Sequence, residues 1–288
     1  MPCGWQRPCR LRGWPGLDRE GTAERLAEWF TGRWGGRAAA TFNRHLDAIR
    51  SAAAFWETQG WLAGDPARLL RRRGRAPDRT RALGAAEIEA VLAMDVPVRE
   101  KTLWTMLYET AARASEALAL NIEDLDRRNR RSKVTRKGSA VDVIVWQTGT
   151  ARLLPRLLDG RTLGPVFLTG RRARAALAPA DLDPVSGRAR LSCRRAEEVF
   201  NETTKPLAHP DITDPRQRAS APGWTLHQLR HSALTRAAEG GANTGTLLAY
   251  SGHSSVASLA TYTRVSPDAL ARWQAQRDPS PAPLIPRR

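Results

Sequence analysis

The sequence predicts a mainly α protein with a small β element, an α+β fold built as a small helical N-terminal domain and a larger mixed domain. Three observations predict it. Apolar residues recur at helical spacing through most readable segments. Strand-like alternation is confined to residues 131–146, where it ends in VDVIVW. A stretch of Arg, Gly and Pro, RRRGRAPDRTR at 71–81, separates two otherwise regular regions. With 288 residues the chain is long enough for two domains, one of them large enough to bury a core.

Residues 1–20 combine Gly, Pro and Arg without an apolar run behind the basic residues. They read as a disordered or non-native start, not as a signal peptide. Leu26, Trp29 and Phe30 give Thr22–Trp34 a helical face. Phe42, Leu46, Ile49, Ala53 and Trp56 do the same from Ala38 to about Gln59, and Asp65-Pro66 marks the exit. Residues 21–70 are therefore a helical domain, and 71–82 a basic linker. The larger domain spans 83–276. It opens with a helix from Ala85 to Met94 and a single helix from Lys101 to Ala119. A β-hairpin follows over 131–146, with Lys137-Gly138-Ser139 as its turn. A short helix at 151–158 precedes an extended passage from Gly164 to Leu168. Loops at 169–190 and 208–223 flank a helix from Ser192 to Lys205, helices dominate from Leu226 to about Gln276, and 277–288 is a Pro-rich tail.

No run of about 18 apolar residues is present, so no membrane span is expected. Three cysteines without a C-x-x-C pair argue against a disulfide framework and for a reducing, cytoplasmic setting. The net charge of +17 calls for a polyanionic partner, with nucleic acid the default. Residues 1–82 already carry sixteen arginines against eight acids. A GC-rich genome would also enrich arginine over lysine, which occurs only at 101, 133, 137 and 205. Charge therefore needs a site beside it.

That site is legible in the last third of the chain. His227 and Arg230 form H-x-x-R on a predicted helix, three apart and on nearly one face. Gly252-His253 follows, and Tyr262 lies nine residues past His253. Upstream, Arg113 interrupts the apolar series Leu103, Met106, Leu107 and Ala111, with Glu116 three residues on to hold its guanidinium. Lys137 sits at the hairpin tip, and Lys133 competes with it. Of three tyrosines, Tyr108 and Tyr250 fall in apolar surroundings and read as packing. A phenol has a free pKa of about 10, so it must lose its proton during attack. Neighbouring arginines and a histidine favour that loss. Fixed cations around one tyrosine, with no cluster of metal ligands, suit attack on a phosphodiester.

The set resembles the tyrosine recombinase (phage integrase) family. ARASEALALNIEDLD is similar to that family's first arginine box, and HQLRHSALTRAAEGGANTGTLLAYSGHSSVASLATYTRV to its second, from the histidine to the nucleophilic tyrosine. The resemblance covers residues 38 to about 270 in order of elements and is most specific over 225–265. It implies a helical core-binding domain at 21–70 and a tyrosine-recombinase catalytic domain at 83–276, closing round duplex DNA. Tyr262 would form a 3′-phosphotyrosyl link, Arg113 and Arg230 would clamp the nonbridging oxygens, and Glu116 would support the first arginine. Lys137 would protonate the 5′ oxygen, His227 would assist proton transfer at Tyr262, and His253 would hydrogen-bond the phosphate. Arg71, Arg72, Arg73, Arg75 and Arg136 are the candidate DNA contacts. The family implies no metal, ATP or other cofactor, a homo-tetramer on two DNA sites, and a nucleoid-associated location. The other readings are a catalytically decayed DNA-binding remnant and a type IB topoisomerase-like enzyme.

Four departures from the pattern stand out. Ala111 replaces the usual Gly two residues before the first arginine, and TRKG replaces the commoner GKG before the lysine. The loops between Arg113 and His227 are long, and the N-terminal domain is short.

Overall fold

The computed structural model describes residues 20–62, 64–74, 82–136, 140–253, 255–259, 262 and 267–275. The chain divides into two units, Met1–Asp78 and Arg79–Arg288.

The first unit pairs α1 (Thr22–Trp34) with α2 (Ala39–Thr58). Phe30, Phe42 and Leu46 bury their side chains together with Ala67 and Leu70 from the segment after α2. Trp34 packs on Phe30 at the edge of this core, while Trp29 stays exposed at the edge of Trp34. The start of the arginine run is bound into this unit. Asn43 brackets Arg73, accepting from its backbone N–H and donating to its carbonyl, each at 2.9 Å. The Arg73 guanidinium lies 4.0 Å from the centre of the Phe42 ring and donates to Gly35 O at 2.7 Å.

In the second unit, α3 (Ala85–Ala93) packs beside α4 (Val98–Thr110), whose Leu103, Trp104, Met106 and Leu107 are buried. The helix expected over 101–119 is two helices. Ala111 takes a left-handed conformation, φ 48°, which ends α4, and α5 (Ala114–Leu118) restarts after Arg113. Alanine is a good helix former, so propensity gave no sign of this break.

β1 (Leu125–Asp126), β2 (Arg131–Thr135) and β3 (Val141–Val145) form an antiparallel sheet in that order. Ser132 faces Ile144, and Val134 faces Asp142. Ser132, Val134 and Ile144 supply the inward side, as the period of two requires. The expected turn residues 137–139 lie outside the described set.

α6 (Thr148–Leu158) packs on α4. Its first N–H groups are satisfied at a distance: Glu109, at the end of α4, accepts from the backbone of Gln147, Gly149 and Thr150 at 2.9–3.1 Å.

The passage expected as loop at 169–190 holds a second antiparallel pair, β4 (Leu168–Arg172) and β5 (Arg188–Arg190). Half of its strand residues are arginine, and they lack apolar alternation. They are held instead by polar bonds, such as Arg190 to the carbonyls of Leu118 and Leu120.

α7 (Cys193–Ala208), capped by Ser192, sends Phe200 against Trp104. The loop expected at 208–223 contains α8 (Pro215–Ser220), started by Asp214 as N-cap and Pro215 at the first position. α9 (Leu226–Glu239), α10 (Thr244–Ser251), a 3₁₀ turn at Val256–Leu259 and α11 (Pro267–Ala275) complete the unit. Among the described residues no helix is long and apolar enough to cross a membrane.

Candidate active site

The left-handed turn at Ala111 aims its carbonyl at α9. Arg230, on the inner side of α9 and only 2% exposed, donates to that oxygen through Nη1. Its Nη2 donates to Ser251 O at 2.6 Å, at the end of α10, and to His253 Nε2 at 3.3 Å. One guanidinium thus joins the ends of α4 and α10 to the body of α9. Burial, and then the neighbouring Arg113 charge, lower its pKa to about 10. It remains a cation at neutral pH.

Arg113 occupies the N-cap of α5. Glu116 accepts its backbone N–H at 2.9 Å and its Nη1 at 2.7 Å, so one carboxylate fixes both the turn and the side chain. Glu116 is buried, whereas the Arg113 side chain is 38% exposed. The guanidinium is therefore held from below and open above.

His253 follows Gly252, which ends α10 with φ 59°. Because arginine only donates, Nε2 of His253 is the acceptor and its proton sits on Nδ1. Nδ1 is buried and has no hydrogen-bond partner among the described residues. Burial lowers the pKa of His253 to about 4, followed by the charges of Arg230, Arg113 and Arg136. The ring is neutral at pH 7.

Tyr262 follows the 3₁₀ turn, its N–H bonded to Leu259 O at 2.8 Å. Its buried ring lies near-parallel to His253, centroids 5.8 Å apart and planes at 23°, and against His231 at 4.9 Å. Leu259, Leu247 and Leu234 pack in the same cluster. His231 was not singled out in the sequence. Its one available signal is its place directly after Arg230 on the inner side of α9.

The structure brings Arg113, Glu116, Arg230, His253 and Tyr262 into one cluster. His227 is exposed on the first turn of α9, although Arg230, one turn on, is buried. Tyr250 is packing, as expected: its hydroxyl donates to Glu109 O at 2.9 Å, and burial raises its pKa. Lys137 lies outside the described residues, and Lys133 is exposed on the outer side of β2.

Two of the expected DNA contacts have internal partners. Arg73 is committed to Phe42 and Gly35. Arg136 is 8% exposed and faces inward, beside Glu116, Asp142 and Ser251. Both find internal partners that a reading of the local sequence does not reveal. Arg71 is exposed, Arg72 is paired with Asp47 at the surface, and Arg75 lies outside the described residues.

In a mainly helical unit with a small antiparallel sheet, arginines converge beside a tyrosine that lies against a histidine. Residues 81–268 match the model of the phage integrase family. Tyrosine recombinase XerC of Mycobacterium leprae (strain TN) is 30% identical over 271 residues, covering 88% of this chain and 82% of that protein. XerC of Mycobacterium tuberculosis (strain CDC 1551 / Oshkosh) is 32% identical over 261 residues, covering 87% and 80%. Among solved structures, the Tn1549 transposon integrase in complex with circular intermediate DNA superposes with a TM-score of 0.62 at 19% identity, covering 90% of this chain and 86% of that one. The XerH recombinase bound to palindromic difH substrate gives 0.58 at 18% identity, covering 88% and 71%. The chain belongs to the phage integrase family.

Proposed function

We propose that the chain binds duplex DNA as a homo-tetramer on two sites and exchanges strands through a 3′-phosphotyrosyl intermediate on Tyr262. The phenolic oxygen attacks the scissile phosphorus, the bond to the 5′ oxygen breaks, and that oxygen leaves with a proton from Lys137. The family resemblance gives the phenolic proton to His227, whereas the ring neighbours of Tyr262 in the structure are His253 and His231. A 5′-hydroxyl from a second strand then attacks the phosphotyrosine and regenerates the phenol. The bond energy stays in the ester, so the exchange runs without ATP. Arg113 and Arg230 meet the nonbridging oxygens as planar donors, and His253, which holds Arg230, hydrogen-bonds the phosphate as the family resemblance implies.

One observation carries the reading. Tyr262 lies against a neutral histidine that also holds Arg230, and Arg230 bonds the carbonyl two residues before Arg113. Nucleophile and clamp are thereby parts of one connected cluster. DNA in the structures of the transposon integrase and of XerH supports the same partner for this chain.

The test incubates the purified protein with end-labelled fragments from its own genomic neighbourhood, quenches with SDS and looks for covalent protein–DNA adducts. An adduct that persists in EDTA and disappears in Tyr262→Phe, with DNA affinity kept, is the expected result. Cleavage by Tyr262→Phe would overturn the nucleophile assignment, and loss of cleavage in EDTA the metal-free chemistry. DNA binding without an adduct on any fragment would favour a decayed DNA-binding protein.

A further inference from the structure

We propose that Arg136 is a positioning residue of the active site, fastening the carboxylate that holds Arg113 to the turn that carries His253. The inference rests on the transfer reading above and names a residue which that reading does not use.

Along β2 the inward positions are Ser132 and Val134, and the next one in the alternation is Arg136. An arginine thus stands where an apolar residue would continue the stripe. Its Nη1 donates to Ser251 O at 2.9 Å and lies 3.5 Å from Glu116 Oε2. Its Nε lies 2.7 Å from Asp142 Oδ2 across the hairpin, an ion pair too bent to count as a hydrogen bond. Burying a guanidinium is unfavourable unless it is paired, and here the partners come from three separate elements.

Two of those partners are shared. Ser251 O also accepts from Arg230, and Glu116 also holds Arg113. The connections therefore run unbroken from Arg113 through Glu116, Arg136, Ser251 O, Arg230 and His253 to the Tyr262 ring. Gly252 leaves the room this requires: a Cβ there would fall 1.8 Å from the Arg136 guanidinium carbon. Among the described residues of this cluster, three guanidiniums stand against the carboxylates of Glu116 and Asp142. The surplus positive charge is what a phosphodiester would balance.

The experiment compares Arg136→Ala and Arg136→Lys with wild type in the full chain. Adduct formation is measured on a normal site and on one whose scissile phosphate is a methylphosphonate, lacking one charged oxygen. Arg136→Ala is expected to slow adduct formation on the phosphate on the order of a hundredfold, the loss typical of one misplaced clamp donor. The deficit should shrink on the methylphosphonate, which asks less of the clamp. Arg136→Lys should recover only part, because a point charge does not bridge two acceptors as a planar fork does. In an Arg113→Ala background, Arg136→Ala should add little, since a positioning residue acts through the group it positions.

An Arg136→Ala protein as fast as wild type overturns the proposal. So does an equal deficit on both substrates, which would mark a general loss of structure, or full additivity with Arg113→Ala. If Arg136→Ala does not fold, Arg136→Lys decides by the same two comparisons. Failure of wild type to form any adduct would instead remove the transfer reading, and this proposal with it.

Discussion

Replacing Glu116 with alanine strikes the cluster where its connections are densest. The carboxylate accepts the Arg113 backbone N–H, holds the Arg113 side chain and lies beside buried Arg136. Losing the cap costs about 1 kcal/mol. Stripping a buried guanidinium of one carboxylate costs roughly 3 kcal/mol, the low end for a broken buried pair, because Asp142 and Ser251 O remain to Arg136. The Arg113 pair, more than a third exposed, adds only tenths. The sum is about 4 kcal/mol, and at this domain size it lowers Tm by roughly 10 °C. A domain worth about 5–15 kcal/mol should still fold at 25 °C. The folded protein should still be slow, because an unheld Arg113 loses on the order of a hundredfold in rate. Differential scanning fluorimetry and the adduct assay read the two effects separately. Glu116→Gln, which keeps an acceptor oxygen for the cap but no charge, should fall between. A Tm within about 2 °C of wild type, with an unchanged adduct rate, would refute the argument that this carboxylate holds the clamp.

Three other outcomes are expected. His253 titrates near 4, below the ordinary histidine value, so its contribution to stability is fully present above about pH 6.5 and fades as pH falls toward 4, where the unfolded chain takes a proton that the folded one refuses. Urea midpoints at pH 7 and pH 5 should differ more for wild type than for His253→Asn; equal differences would remove His253 as the cause. Ala111→Gly relieves a left-handed φ worth about 1–2 kcal/mol, while losing a buried methyl and loosening the unfolded chain cost a similar amount, so denaturation should move by less than about 1 kcal/mol. A much larger loss would show that the turn is not strained by its side chain. DNA affinity should fall steeply with salt through counterion release, and a flat response would count against a phosphate-dominated interface.

Much of this was legible in the residues, and the limits have physical causes. Thr22–Trp34 and the face of α2 follow from apolar spacing alone. Arg113, Arg230, His253 and Tyr262 were legible as a set because their order and distances are specific, although each residue alone means little. The break after Thr110 was not, because Ala111 is a helix former held left-handed by its tertiary setting. The β4–β5 pair was hidden because polar bonds, not alternating apolar faces, hold its strands. The internal partners of Arg73 and Arg136 were not legible because Phe42, Asn43 and Ser251 lie far from them along the chain. Tyr262's second ring neighbour, His231, carried no pattern that separated it from an ordinary core residue.

The oxygen on which Arg136 and Arg230 converge belongs to the peptide link between Ser251 and Gly252. It is written in no side chain, so no substitution at position 251 deletes it, and alanine scanning would pass over it in silence. What lets both guanidiniums reach it is the bare Cα of the next residue, where a Cβ would fall 1.8 Å from the Arg136 guanidinium carbon. The genetic address of this acceptor is thus Gly252, a residue that contributes no functional group. Drift there would disarm the enzyme while every charged residue of the cluster remained in place, and an inventory of those residues would still pronounce it intact.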